Sequence, residues 1–272
     1  MSQTLSTKRY VVIIIIIAQS IDRLKLYEAG LELVDAESQA RIKRFYHRAD
    51  ACRCLIGRLL PRVLLKQHGI PAAQMTFGKT DAGKPYVTTP LDPSIAFNVS
   101  HDSSFVAMVF APGDANPPAY SVGVDIMEVR MPRGETYASL TETFGEQLTT
   151  LERRQLRALQ PEESLRHFFW IWTTKEAYTK ALGIGLGFDF NRVEVDVAAR
   201  TIRIDGVIPK GWRLTRFEAM SADGAPYVGV AAELTTDNAP ATITDAGSDT
   251  PIVRHDAAEF IRNAVSALGS DK

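Results

Sequence analysis

The sequence is poor in several features that settle a protein's class early. Only two of its 272 residues are cysteine, Cys52 and Cys54. One intervening residue is too few for a usual metal pair, and two thiols exclude a disulfide framework, so reduced cytosolic thiols on a helix are expected. Neither sign of charge dominates: 31 Lys and Arg stand against 32 Asp and Glu, for a formal net charge of −1. No global field therefore gathers nucleic acid or an anionic membrane, and an anionic ligand needs a local basic cluster. The apolar run Val11 to Ala18 falls far short of the roughly 20 residues of a membrane span. Its β-branched residues favour a buried strand over a signal-peptide core. The sequon Asn98-Val99-Ser100 has no other secretory feature beside it. A Gly-rich phosphate loop of the Walker kind is also missing.

What is present is an ordinary globular composition, 45% hydrophobic and 23% charged, long enough for one large domain or two small ones. Residues 10–18 read as a buried strand. Glu37 to His68 reads as an amphipathic helical stretch with Ile42, Phe45, Cys52, Leu55, Ile56, Leu59 and Leu60 inward, kinked or divided at Pro61. Thr80 to Pro85 is a turn, and Ile95–Val99 pairs with Phe105–Phe110 around His101-Asp102-Ser103. The loop from Ala111 to Pro118 divides the chain. Beyond it come a strand from Ser121 to Val129, helices over Glu135–Leu159 and Pro161–Leu182 ended by Gly183, Gly185 and Gly187, and a hairpin over Val193–Ile204. Trp212–Ala219 and Tyr227–Leu234 complete the strands. The expected division is residues 1–118, 119–235, and a flexible linker with a short terminal helix over 236–272. Helices and mostly antiparallel strands without regular alternation indicate an α+β fold.

Two stretches carry the chemistry. In Val122-Gly123-Val124-Asp125-Ile126-Met127-Glu128 strand alternation puts Asp125 and Met127 on one face and Glu128 on the other. A carboxylate among valines and isoleucines needs a cation or hydrogen bonds, and a salt bridge or turn partner meets that need as well as a metal does. In the helix around Trp172-Thr173-Thr174-Lys175-Glu176-Ala177, Glu176 and Lys180 are four apart and share a face. A solvated Glu–Lys pair is the plain alternative. Mg²⁺ takes one or two carboxylates and fills its shell with phosphate oxygens and water, which one Asp and one Glu would suit. Upstream, Arg41, Lys79, Lys84, Ser100 and His101 offer charged or hydroxyl donors for phosphate, though each taken singly is also an ordinary surface residue.

These residues lie in blocks that resemble the Sfp-type 4′-phosphopantetheinyl transferases, particularly the eukaryotic single-chain kind that includes aminoadipate-semialdehyde dehydrogenase phosphopantetheinyl transferase. The blocks are Lys43-Arg44-Phe45-Tyr46 with Gly57-Arg58-Leu59-Leu60, Gly83-Lys84-Pro85, Phe97-Asn98-Val99-Ser100-His101, Val122 to Ile126, and Trp172 to Ala177. The resemblance implies a monomer of two similar subdomains about a pseudo-twofold axis. It implies transfer of the phosphopantetheine arm of coenzyme A to a serine of acyl or peptidyl carrier proteins, with release of adenosine 3′,5′-bisphosphate. It further implies Mg²⁺, replaceable by Mn²⁺, and cytoplasmic work in fatty acid, polyketide, peptide or lysine biosynthesis, with no nucleic acid or membrane partner. Asp125 and Glu176 are then the metal ligands, Lys180 meets the pyrophosphate with Lys175 nearby, and Glu176 is the base. Ser100 and His101 hold the 3′-phosphate and neighbouring groups, Arg41 is a phosphate contact, Lys79 to Lys84 with Gly83 and Pro85 cradle the adenosine side, and Asn98 lies in the same strand. Met127 stands where many bacterial members have an acidic residue, so water would fill that metal position. A module that binds coenzyme A and carrier proteins without catalysis is the alternative.

Overall fold

The computed structural model describes residues 11–16, 24–113, 122–184, 187–235, 237–247 and 252–270. The first half runs β1 (Val11–Ile16), α1 (Leu24–Leu31), α2 (Ala36–Lys43) and α3 (Arg48–Gln67), then a short hairpin of β2 (Phe77–Lys79) and β3 (Pro85–Val87). A long hairpin of β4 (Ser94–Asp102) and β5 (Phe105–Gly113) closes it. The second half runs β6 (Val122–Glu128), α4 (Tyr137–Thr143), α5 (Thr150–Ala158) and α6 (Pro161–Leu182). It continues with the short hairpin β7 (Val193–Asp196) and β8 (Thr201–Ile204) and the long hairpin β9 (Trp212–Met220) and β10 (Pro226–Leu234). Strand, long helix, short hairpin and long hairpin thus occur twice. The main strands are joined alike, β1-β5-β4 in one sheet and β6-β10-β9 in the other. The α+β fold read from the sequence is present, and its two halves correspond element by element.

Strand alternation explains the layering. On β5, Val106, Met108 and Phe110 face α3, while Phe105, Ala107 and Val109 face the second sheet. On β6, Val122, Val124 and Ile126 meet that same seam, which leaves Gly123, Asp125 and Met127 turned toward α6. The sheets therefore pack against one another, with helices on both outer faces. Helix α6 starts with Pro161 and two acidic residues in its first turn and ends at Gly183, whose φ of 68° is the left-handed conformation glycine tolerates.

Several expectations need correction. The division in the first helical stretch falls at residues 44–47, and Pro61 sits inside α3 without ending it. Leu55, Ile56, Leu59, Leu60, Leu64 and Leu65 around it are at most 1% exposed. Burial on that scale outweighs the ~3 kcal/mol that an interior proline costs. Phe45, expected inward, lies in the link and is exposed. The stretch Glu135–Leu159 is two helices, because Thr149 and Glu152 form a capping box that starts α5. His101 and Asp102 belong to β4, and the turn falls on Ser103 with a φ of 42°. The expected boundary loop lies outside the described residues beyond Gly113, as does Gly185.

The expected linker is also largely structured. Residues Thr242–Asp245 form β11, parallel to β9, and Ile252–Asp256 form β12, parallel to β1. The terminal helix is present as α7 (Ala257–Gly269), with Asp256 capping its first turn. It buries Phe260, Ile261, Ala264 and Leu268 in the core of the first half. The tail thus adds one edge strand to each sheet.

Gly123 is where the closest approach occurs. A Cβ there would run into the Ala177 carbonyl and the Ala181 amide of α6. Backbone cannot yield as a flexible side chain does, so Gly123→Ala forces β6 and α6 apart. The expected result in urea denaturation is a loss of about 3 kcal/mol or more, and a wild-type midpoint would show that the approach is looser than described.

Candidate functional site

Strand β6 is an edge strand, and its outward amides are met by side chains of β4. Asn98 Oδ1 accepts from the Val124 amide at 2.9 Å and Asp102 Oδ2 from the Glu128 amide at 2.7 Å. Between them Ser100 Oγ donates to Asp125 Oδ1 at 2.8 Å. The two halves are thus stitched by alternate side chains of one strand.

Asp125 is 3% exposed, a costly place for a carboxylate. Lys180 offsets that cost: its Nζ lies 2.6 Å from Asp125 Oδ1, 3.1 Å from Ser100 Oγ and 3.9 Å from Glu176 Oε2. One ammonium therefore sits against both carboxylates predicted from the sequence. Glu176 is half-buried, and loss of water pushes its pKa up. Lys180 pulls it back and the like charge of Asp125 raises it again. Asp125 Oδ2 is buried and has no hydrogen-bond partner. Among the described residues no cluster of three or more His, Cys, Asp or Glu could enclose a metal. A buried orphan carboxylate oxygen beside a second carboxylate fits a hard cation that draws its remaining ligands from phosphate and water. Met127 packs toward the core and offers no hard ligand. Glu128 faces the other way, accepts from Tyr227 Oη at 3.1 Å and pairs with Arg130.

Beside this cluster lies a cavity of about 700 Å³ between α2, α3, the β2–β3 hairpin and β4. Arg41, Lys79, Gly83, Pro85 and His101 line it together. The turn at its rim closes through Gly83, whose amide donates to Thr80 O at 2.8 Å with a φ of 83°. Three further arginines line the same space, Arg53, Arg58 and Arg62 of α3. The sequence reading missed their role; Arg58 and Arg62, four apart and opposite the apolar stripe, were the available signal. Asp35 and Glu37 are the acidic groups in the lining, paired with Arg62 and Lys79 respectively.

Four predicted residues sit elsewhere than expected. Lys175 is 1% exposed and points away from the cleft. Its Nζ donates to Glu152 Oε2 and Gln147 O at 2.7 Å and to Phe190 O at 3.0 Å. Glu152 in turn accepts from the Thr149 and Val195 amides, each at 2.8 Å. This network fixes α6 against α5 and β7. No sequence signal announced it, since the partners are 23 residues apart on different helices. Lys84 does not line the cavity either. It crosses to the second half, donating to Val122 O at 3.0 Å and Ala181 O at 2.9 Å. Asn98 is committed to the seam. Ser100 and His101, adjacent on β4, face opposite ways, Ser100 to the carboxylates and His101 to the cavity.

Comparisons with known proteins agree on one family. Residues 23–112 match the profile of the 4′-phosphopantetheinyl transferase N-terminal domain, and residues 121–226 that of the 4′-phosphopantetheinyl transferase superfamily. The chain is 48% identical over 250 residues to a 4′-phosphopantetheinyl transferase of Paxillus involutus, covering 89% of this chain and 94% of that one. It is 30% identical over 163 residues to a 4′-phosphopantetheinyl transferase of Bacillus subtilis, covering 60% and 66%. To the L-aminoadipate-semialdehyde dehydrogenase-phosphopantetheinyl transferase of Homo sapiens it is 28% identical over 214 residues, covering 73% and 66%.

Two tests follow from the buried lysines. Removing one partner of the Lys175–Glu152 pair leaves an uncompensated buried charge, so Lys175→Met or Glu152→Gln should each cost about 3–5 kcal/mol in denaturant titration. The double variant should cost less than the sum, and additivity would mean the two do not interact. Burial pushes the Lys84 pKa down to about 7, while the unfolded chain keeps the ordinary value of about 10.4. Between those pH values the unfolded state binds the extra proton, so stability rises with pH across the window and is flat with respect to this group below it. Wild type should therefore gain on Lys84→Met by on the order of 3 kcal/mol from pH 7 to 10; parallel curves would refute a depressed Lys84.

Proposed function

The chain belongs to the 4′-phosphopantetheinyl transferase superfamily, enzymes that use coenzyme A and act on carrier proteins, and we propose that it loads a carrier serine by an in-line attack arranged around Asp125, Glu176 and Lys180. The observation that carries this reading is the one ammonium held against two carboxylates beside a cavity rich in arginine.

In this reading the cavity takes the nucleotide end of coenzyme A. Arg41, Lys79 and His101 meet its phosphate, and the turn closed by Gly83 cradles the adenosine side. The diphosphate then lies over the carboxylate cluster. Asp125, through the unpartnered Oδ2, and Glu176 would hold Mg²⁺ or Mn²⁺ there. When bound, the ion supplies charge neutralisation and polarisation of the diphosphate. Lys180 keeps two of its three N–H groups on Asp125 Oδ1 and Ser100 Oγ and gives the third to the phosphate oxygens as their charge builds.

The serine hydroxyl of the carrier loses its proton to Glu176, directly or through a water. A new serine O–P bond forms, and the P–O bond to adenosine 3′,5′-bisphosphate breaks. Holding serine and phosphorus in line accounts for much of the rate, and no covalent enzyme intermediate is required. Cys52 is buried in the first core and reaches no reacting group. Lys175 is outside the chemistry and keeps α6 turned so that Glu176 and Lys180 face the cleft. The reading includes action as a cytoplasmic monomer.

Mass spectrometry of an apo carrier protein with coenzyme A and Mg²⁺ should register the phosphopantetheine increment. Asp125→Ala and Glu176→Ala should each lower kcat/KM by about 100-fold or more. Full activity of Glu176→Ala would remove both roles given to that residue.

A further inference from the structure

Ser100 is adjacent to His101, which lines the cationic cavity, yet its side chain does not enter that space. Successive residues of β4 face opposite ways, and Ser100 shares its face with Asn98 and Asp102. It is 6% exposed. A serine hydroxyl has one proton to give, and that proton goes to Asp125 Oδ1 at 2.8 Å. One of its lone pairs receives Lys180 Nζ at 3.1 Å. Nothing is left to donate to a phosphate.

The consequence for Asp125 is specific. Oδ1 is occupied by Ser100 and Lys180, whereas Oδ2 is buried without a partner. A carboxylate anchored through one oxygen cannot turn freely about its terminal torsion, and its second oxygen is presented in a fixed direction. The anchor comes from the first half, while Asp125 and Lys180 belong to the second.

We propose that Ser100 is a positioning residue of the cation site: from the first half it fixes the Asp125 carboxylate and the Lys180 ammonium of the second, so that Asp125 Oδ2 faces the cation, and it takes no part in holding the 3′-phosphate. This rests on the transferase reading above. Residues that orient a metal's ligands typically matter about 10- to 100-fold in metal affinity, which gives the size of effect to look for.

The test uses the full chain and two ligands, coenzyme A and its 3′-dephospho form. Their affinity ratio reads the 3′-phosphate contact alone. Mn²⁺ affinity, measured by water-proton relaxation with coenzyme A present, reads the cation site without turnover. Ser100→Ala should keep the wild-type ratio within about twofold and weaken Mn²⁺ binding by about tenfold. Its kcat should fall with an unchanged KM for coenzyme A. Ser100→Thr, which retains the hydroxyl, should restore Mn²⁺ affinity. Ser100→Cys, a close match in size with a weak donor, should fall between and serves if the alanine variant folds poorly. His101→Ala, on the cavity face, provides the contrast by losing the ratio. A collapsed ratio with intact Mn²⁺ affinity in Ser100→Ala would overturn the proposal. Wild-type protein that binds both ligands and Mn²⁺ but loads no carrier would instead overturn the transferase reading.

Discussion

A carboxylate that is 3% exposed on an apolar edge strand is the constraint to which the rest of the molecule answers. Left alone, a carboxylate so deprived of water would weigh against the strand that carries it. Asp125 stays where it is because α6 delivers Lys180 from one side and β4 delivers Ser100 from the other. Each of those deliveries has a backbone requirement of its own. Helix α6 reaches Asp125 only because Gly123, two residues earlier, lets the helix touch the strand. Strand β4 reaches it only because Asn98 and Asp102 bind the outer amides of β6 in register.

The two halves share an architecture and differ in charge. In the first, α3 presents arginines to an open cavity, suited to an anion. In the second, α6 presents Glu176 and Lys180 to the seam, where Lys180 also meets Asp125. The remaining buried lysines hold the frame. Lys175 fixes the rotation of α6 from behind, and Lys84 ties the first half's hairpin to the carbonyls of Val122 and Ala181. Three lysines near one helix thus have different duties, set by whether Glu152, the carbonyls of Val122 and Ala181, or Asp125 lies at the end of each stem.

The elements that repeat a local pattern were legible in the sequence. The edge strand around Asp125, α6 with its glycine stop, the β7–β8 hairpin and the turn at Gly83 all follow from alternation, helical period and turn chemistry. The pairing of Glu176 with Lys180 was legible for the same reason. What escaped depends on distant partners. The orientation of Lys175 is decided by Glu152, and that of Lys84 by carbonyls in the other half. The place of the helix break depended on how much apolar surface surrounds Pro61. The tail looked like a linker because four- and five-residue edge strands in polar surroundings carry little periodicity, and their order comes from the sheets that receive them.

That tail bears on how the chain comes to be folded during synthesis. The outer neighbour of β1 is β12, with Val12 beside Ile252, and the core under the first sheet is completed by α7. Residues 11–16 must therefore wait for residues 252–256 before their sheet has its full width. A long sequence separation between paired strands slows folding, and an open sheet edge is a site of mispairing while it lasts. The first sheet and the core beneath it thus stay incomplete until the segment from Ile252 to Gly269 has been made and has docked.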